Sequence, residues 1–368
     1  MKAGGGELAT AIGAISGTSM DGIDVALIRS DGRARVETGP GATFPYPADV
    51  SGALREVVAD PNRALRPLDE LERAVTDSHV AAIEAFLENF AIDRASVALV
   101  GLHGQTVLHR PREGYTRQLG DGARAAAALG IDVVNDFRAA DVAAGGEGAP
   151  LVPLYHAAMS AGLERPLTLL NWGGVGNVTY LGAGGEIVAF DTGPANALLD
   201  DFVAKRLGVS HDEGGALAAA GRVDEELVAR SMRDAYFDRP PPKSLDRNHF
   251  HGVARAVEGL SDADGAATLA AFTVEATTAA SRHFSMKASR WLVCGGGRRN
   301  LTLMRALAQR LEARVDPIEA IGYDGDVVEA QCFAYLALRS RQGLPISLPT
   351  TTGAPRPLTG GAHWPAKR

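Results

Sequence analysis

The sequence predicts a duplicated, two-lobed α/β protein with a cleft between the lobes. Three observations carry this. At 368 residues the chain is more than twice the length of about 150 that usually makes one domain. Hydrophobic residues at 46% and charged residues at 22% are globular values, which exclude disordered, collagenous and coiled-coil classes. The same order of elements also occurs twice: a strand–turn–strand hairpin, helices, then a strand running into glycines.

In the first half, an apolar segment at residues 11–15 breaks at Ser16-Gly17-Thr18-Ser19-Met20-Asp21-Gly22 and resumes at 23–29, which reads as two strands joined by a polar turn. Val80, Ile83, Leu87 and Phe90 recur at helical spacing and predict a helix over 76–90. Residues 96–102 form a nearly continuous apolar run, the pattern of a buried strand, feeding His103-Gly104-Gln105-Thr106. Residues 131–134 form another, ending at Asn135-Asp136-Phe137-Arg138. The second half repeats the plan. Strands at 167–171, 177–181 and 187–190 are separated by Trp172-Gly173-Gly174-Val175-Gly176 and by Gly182-Ala183-Gly184-Gly185, and a helix follows over 195–207. A strand at 290–293 runs into Cys294-Gly295-Gly296-Gly297. Helices over 151–159, after Gly148-Ala149-Pro150, and over 327–338, after Gly325-Asp326, complete the two halves. This places one lobe at residues 1–140, a second at 141–340, and a proline-rich tail at 341–368 that packs back on a lobe.

Composition narrows the function. With 37 basic and 44 acidic residues the net charge is −7, which argues against a nucleic-acid surface or a basic membrane patch. An anionic ligand is still allowed, because backbone N–H groups bind phosphate without net basic charge. Glycine supplies 43 residues, well above the average share of about 7%, and the surplus points to tight turns and close backbone approach to something. Two cysteines, Cys294 and Cys332, make no disulfide framework; they fit a reducing cytosol and two small buried hydrophobes. The first residues lack the pattern of a secretory signal, and no stretch reaches the roughly 18 to 20 apolar residues of a membrane span. The expected location is the cytoplasm.

No GxxxxGK[ST] is present, no G-x-G-x-x-G opens a helix after the first strand, and the nine histidines contain no HExxH. What remains is a set of turns carrying hydroxyls, amides and carboxylates. In residues 16–24 the glycines let backbone N–H groups approach phosphate oxygens, Thr18 and Ser19 add donors, and Asp21 can hold Mg²⁺ through water; the same residues also suit an ordinary Asp-Gly hairpin turn. Asp191, in Asp191-Thr192-Gly193-Pro194, is placed at a strand end to act as a general base, or alternatively to cap the helix that starts near Pro194. Gly295, Gly296 and Gly297 can pass beneath a flat nucleobase, since they leave no side chains in the way.

Ten strings then stand together: SGTSMDGID (16–24), HGQT (103–106), NDFR (135–138), GGEGAPLVP (145–153), NWGGVGN (171–177), FDTGPAN (190–196), DEGG (212–215), PPKS (241–244), VCGGG (293–297) and GDVVEAQCFAYLA (325–337). In these residues, in this order, the sequence resembles the anhydro-N-acetylmuramic acid kinases of bacterial cell-wall recycling, members of the actin, hexokinase and heat-shock-chaperone ATPase superfold. It departs from the family pattern at Ala195, where a second glycine is frequent, at Leu245-Asp246, where Thr-Gly is usual, and at Arg298-Arg299, which replace smaller or neutral residues.

The resemblance implies two RNase-H-like lobes of duplicated actin/hexokinase-type topology with ATP and Mg²⁺ in the inter-lobe cleft. It implies that Gly17, Thr18, Ser19, Met20, Asp21, Gly22, Ile23 and Asp24 form the first phosphate turn. Asn171, Gly173, Gly174, Gly176 and Asn177 would form the second, and Gly295, Gly296 and Gly297 the adenosine loop. The implied small-molecule substrate is 1,6-anhydro-N-acetylmuramic acid, with Asp191 as base and substrate contact and with Gln105, Thr106, Arg138 and Glu329 around the sugar. Two other readings stand beside it: a sugar or acid kinase of the same superfold acting on an intact hydroxyl, and a nucleotide-dependent scaffolding protein. The sequence leaves a monomer and a homodimer both open.

Overall fold

The computed structural model describes residues 7–17, 20 and 22–366. The chain divides into two compact units: unit 1 holds the residues up to Gly162 and from Val327 onward, and unit 2 is Leu163–Asp326.

Unit 1 is built on β1 (Ala9–Ser16), β2 (Gly22–Ser30), β3 (Val36–Pro45), β4 (Leu99–Arg110), β5 (Tyr115–Leu119) and β6 (Val133–Asn135). Strands β1, β2 and β3 pair antiparallel in succession, while β4 lies parallel to β1 and β6 parallel to β4. β5 folds back on β4, and the short strand Ala362–Trp364 of the tail pairs antiparallel with β6. Unit 2 contains β7 (Leu167–Trp172), β8 (Val175–Leu181), β9 (Ile187–Pro194), β10 (Arg290–Cys294) and β11 (Arg314–Pro317), in the sheet order β9-β8-β7-β10-β11. With the hairpin strand β5 set aside and the strands of each unit counted from its own first, both units have the order 3-2-1-4-5, an antiparallel triplet followed by two parallel strands. The duplication expected from the sequence is therefore present as one RNase-H-like topology used twice.

Alternation along the strands sets the layers of unit 1. Ile12 and Ala14 of β1, with Val100 and Leu102 of β4, join Ile83 and Phe86 in one core. Gly13 and Gly101, facing the other way, receive the helix Val328–Arg341. A Cβ on Gly13 would lie 1.8 Å from the Ala330 carbonyl oxygen, and one on Gly101 would lie 2.2 Å from that of Phe333. The helix backbone thus rests on strand backbone at a distance that no side chain permits.

Two sequence expectations change here, and one strand is added. The helix carrying Val80, Ile83 and Leu87 starts earlier, running Asp69–Asn89 with Asp69, Glu70 and Glu72 in its first turn, and the exposed Phe90 caps its C-terminus from outside. Strand β3 escapes a periodicity search because it is a Gly- and Pro-bearing edge strand with no fully buried residue. The lobe boundaries at 140 and 340 give way to divisions after Gly162 and after Asp326. The reason is the helix Val328–Arg341: nearly all of its residues are buried, but in unit 1, against β1, β2 and β4. In unit 2 the corresponding central element is the helix Asp262–Ala279, packed among Phe202, Phe237, Phe250 and Trp172 in a single core. No helix among the described residues is long and apolar enough to cross a membrane.

Candidate active site

The register of unit 2 places Asn171 of β7, Asn177 of β8 and Asp191 of β9 side by side in one row. All three are half-buried, whereas the adjoining row, Leu170, Val178 and Phe190, is wholly buried in the core. A bulge at Gly176/Asn177 leaves Thr192 as the extra residue of β9, directly beside Asp191. Asp191 lies inside β9, not at its end, and it does not cap the following helix Asn196–Leu207: Ala195 occupies that position. The first N–H groups of this helix turn to the preceding hairpin instead, Asn196 to the Gly173 carbonyl (2.9 Å) and Ala195 and Ala197 to that of Gly174 (3.1 and 3.2 Å). The capping reading is overturned.

Asp191 is held by a segment 45 to 54 residues further along. Its N–H donates to the Lys243 carbonyl (3.0 Å), its carbonyl accepts from the Tyr236 hydroxyl (2.5 Å), and its Oδ2 accepts from the Leu245 N–H (2.8 Å). Burial, with the Asp191 charge adding to it, pushes the Tyr236 phenol pKa upward and keeps it a donor. Because Leu245 contributes a backbone N–H, its departure from the family's threonine leaves this contact intact.

The glycines of the two loops at 173–176 and 295–297 fall into two kinds. A Cβ would strike Thr192 Oγ1 at 2.7 Å from Gly176, Asn171 Oδ1 at 2.3 Å from Gly295 (φ +73°), and Trp172 Cβ at 2.5 Å from Gly297. Internal packing or left-handed backbone therefore requires these three. At Gly173, Gly174 and Gly296 it would meet nothing closer than 3.6 Å, and none of the three has a left-handed φ. Their bare backbone is what an incoming ligand would use, and Gly174 and Gly296 both border the start of the helix Asn196–Leu207, near Ala197 and Asn196. Gly174→Ala should leave thermal stability within about 0.5 kcal/mol of wild type while weakening nucleotide binding about tenfold or more. Gly295→Ala should lower the melting temperature; calorimetry of both variants with and without nucleotide reads the contrast.

The loop beyond Gly297 is fixed by Arg298, a buried departure from the family pattern. Its guanidinium bonds Glu319 (2.7 Å) and the Gly295 carbonyl (3.0 Å) and pairs with Asp326 (3.0 Å). Burial opposes its charge, but the bonds to Glu319 and Asp326 outweigh that and raise its pKa. Arg298 thus braces the glycine loop from within, and Asn300 caps the helix Leu301–Leu311 that leaves it.

In unit 1 the first turn is anchored by Gln105, which is 1% exposed. Its Oε1 accepts from Ser16 Oγ (2.5 Å), and its amide nitrogen donates to the carbonyls of Gly17 (3.2 Å) and Thr106 (3.1 Å). Both ends of Gln105 are engaged inside the unit, so its side chain holds the turn and is not an open sugar contact. Met20, at φ +55°, and Ile23 are buried in the core, the Met20 N–H donating to the Gly17 carbonyl (3.2 Å) and Ile23 lying in the β2–β3 ladder opposite Phe44; Gly22 is fitted to Thr43 and Phe44. Thr18, Ser19 and Asp21 lie outside the described residues. No group of three His, Cys, Asp or Glu among the described residues is arranged to hold a metal.

Glu329 has both Arg138 and Asp24 as electrostatic neighbours. Surrounding protein raises the Glu329 carboxyl pKa, Asp24 adds to the rise and Arg138 opposes it. Arg138 donates Nε–H to His103 Nε2 (3.0 Å) and Nη1–H to the Gly148 carbonyl (2.8 Å), with its guanidinium 5.9 Å from the Phe333 ring centroid. His103 directs its other nitrogen to the Gly104 carbonyl (3.0 Å), and burial together with the Arg138 charge keeps the ring neutral. Thr106, half-buried, accepts from Gln118 (3.2 Å). Sequence reasoning missed the holding roles of Tyr236, Leu245 and His103. The only sequence signal for the first two was the Pro241-Pro242-Lys243-Ser244 string, which carried no role of its own.

A family model described as anhydro-N-acetylmuramic acid kinase matches residues 9–366. A protein of that name from Rhodospirillum rubrum is 51% identical over 358 residues, covering 97% of this chain and 94% of its own. Another from Paramagnetospirillum magneticum is 51% identical over 354 residues, covering 96% and 99%. Among solved structures, a ROK family glucokinase from Streptomyces griseus in complex with glucose and AMPPNP aligns over 91% of this chain and all (100%) of its own at 16% identity, with a TM-score of 0.43. On the family match and on relatives sharing half their residues across nearly the full length, the chain belongs to the anhydro-N-acetylmuramic acid kinase family.

Proposed function

We propose that this chain is an ATP-dependent kinase that opens the anhydro ring of 1,6-anhydro-N-acetylmuramic acid and phosphorylates O6, yielding N-acetylmuramic acid 6-phosphate and ADP. The substrate class follows from family membership. The observation that carries the chemistry is the three-point hold on Asp191, since a base must be fixed in place to act on a water molecule.

In the substrate, C1 and O6 are joined within one sugar. Water attacks C1 and its proton passes to Asp191, as to the base carboxylate of an inverting glycosidase. The C1–O6 bond breaks and O6 takes the γ-phosphoryl group, whose bond to the bridging oxygen of ADP breaks in turn. No protein acid has to protonate O6, because the phosphoryl group traps it. The bare backbone at Gly173, Gly174 and Gly296 suits phosphate and adenosine approach. When bound, Mg²⁺ neutralises charge on the transferring phosphoryl group, and Asp21 is the carboxylate we assign to hold it through water. In unit 1, Arg138 matches the lactyl carboxylate: its Nη2 makes no hydrogen bond among the described residues, and its fork is oriented by His103 and Gly148. Thr106 and Glu329 are assigned to the remaining polar groups of the sugar, and Gln105 to the turn that presents Gly17.

The test supplies ATP with anhydro-muramic acid, muramic acid or glucosamine in H₂¹⁸O and follows ADP and the sugar products. ADP formed with the anhydro sugar alone, with ¹⁸O at C1, is the expected result. Faster turnover of a ring-opened sugar would instead establish a kinase that acts on an intact hydroxyl.

A further inference from the structure

Lys243 is 5% exposed, yet among the described residues its ammonium makes no ion pair, and Asp238 acts on it only from beyond that distance. Nζ instead donates to the carbonyls of Tyr236 (3.0 Å) and Phe237 (3.3 Å) and lies 4.7 Å from the Tyr236 ring centroid and 5.5 Å from that of Phe190. Burial without a counter-ion is costly, and it pushes the ammonium pKa down to about 8, with Arg239 adding to the shift. A methionine would fill the same space without that cost.

The topology of these bonds gives the lysine a purpose. Tyr236 grips the Asp191 carbonyl, while the Lys243 carbonyl and the Leu245 N–H grip its N–H and Oδ2. The two grips come from opposite ends of one ten-residue loop, 236–245. The Lys243 ammonium ties those ends together, because it spans from its own position to the carbonyls of Tyr236 and Phe237. The far side of the loop is secured by Phe237, stacked on Phe250 at 5.4 Å and edge-on to Phe272 at 6.1 Å.

We infer that Lys243 is a positioning residue for the reaction: its ammonium cross-ties the 236–245 loop so that the loop holds the Asp191 carboxylate in one orientation. The inference rests on Asp191 being the base. Without the tie, the Leu245 N–H separates from Oδ2, and the carboxylate loses both its orientation and a donor that stabilises its charge.

The test compares Lys243→Met and Tyr236→Phe with wild type, measuring kcat, KM for ATP and for the anhydro sugar, the pH profile of kcat, and thermal stability. Each variant should lower kcat about tenfold or more, leave KM for ATP within about twofold, and move the acidic limb of the kcat profile upward. Placed in an Asp191→Asn background, neither should reduce the residual turnover further, because the residue through which they act is already gone. Tyr236→Phe deletes one hydroxyl and keeps the inference testable should Lys243→Met fold poorly. Wild-type kcat and pH profile in folded variants, with Asp191→Asn inactive, overturn the role of Lys243 and leave Asp191 as the base. Wild-type turnover by Asp191→Asn itself overturns both.

Discussion

Asp191→Asn is expected to abolish ring opening and phosphoryl transfer together while ATP still binds. The amide has the shape of the carboxylate, and its oxygen can still accept from the Leu245 N–H, so the local fold is retained. What disappears is the proton acceptor, an effect of roughly 10²- to 10⁴-fold for general bases. Both halves of the reaction fall because they share one leaving event: O6 becomes a phosphate acceptor only as it departs from C1. Neither hydrolysed, unphosphorylated sugar nor sugar-independent ADP should accumulate. Product analysis by mass spectrometry, with calorimetric titration of ATP, reads both predictions, and turnover within tenfold of wild type would remove Asp191 from the mechanism.

Acid should unfold unit 1 while carboxylates are still largely ionised. His79 is wholly buried; its Nδ1–H donates to the Val75 carbonyl (2.8 Å), and its Nε2 has no partner. Burial pushes its pKa down to about 4, and that of the equally buried His156 to about 3, from an ordinary 6.5. The sign follows from proton counting. Between pH 6.5 and these values the unfolded chain carries a proton on each ring that the folded chain does not, so stability is whole above about 6.5 and falls as pH drops through the window. At pH 4.5, about two units below the ordinary 6.5, each ring has cost about 2.5 kcal/mol, together about 5 kcal/mol, the lower end of the roughly 5–15 kcal/mol that holds a domain folded. His103 adds to this, since protonating Nε2 would also expel the Arg138 guanidinium from its hydrogen bond. Chemical denaturation at steps from pH 7 to pH 4, read by hydrogen exchange in unit 1, should show the slope, and His79→Gln should flatten it. Stability constant down to pH 4.5 would refute the linkage.

Features written into contiguous residues were legible before the structure. The hairpins, the glycine turns and Asp191 as the carboxylate that follows an apolar run all follow from local pattern, and the duplication follows from the order of those patterns. Features created by distant segments were not. Nothing near Asp191 in sequence announces Tyr236, Lys243 or Leu245, because two backbone groups and one hydroxyl do the holding and backbone groups have no residue signature. The kinds of glycine were equally hidden: Gly173 and Gly297 read alike as letters, and only the 2.5 Å approach of Trp172 Cβ to a Cβ on Gly297 separates a packing glycine from an open one. Arg298 reads as an exposed basic residue beside Arg299 until Glu319 and Asp326, 21 and 28 positions further on, close around it.

The division of the chain has a consequence for its birth on the ribosome. Unit 2 is one uninterrupted stretch, whereas the sheet of unit 1 receives its covering helix, Val328–Arg341, and the strand beside β6 only from residues made after unit 2 is complete. Tyr335 donates to the Arg33 carbonyl and Arg339 to that of Gly32 across 302 and 307 residues, contacts that no nascent chain can form early. Throughout that interval, the face of β1 and β4 that bears Gly13 and Gly101 is an uncovered apolar surface, the kind of intermediate that engages chaperones or aggregates. The half that is translated first is therefore the half that is finished last.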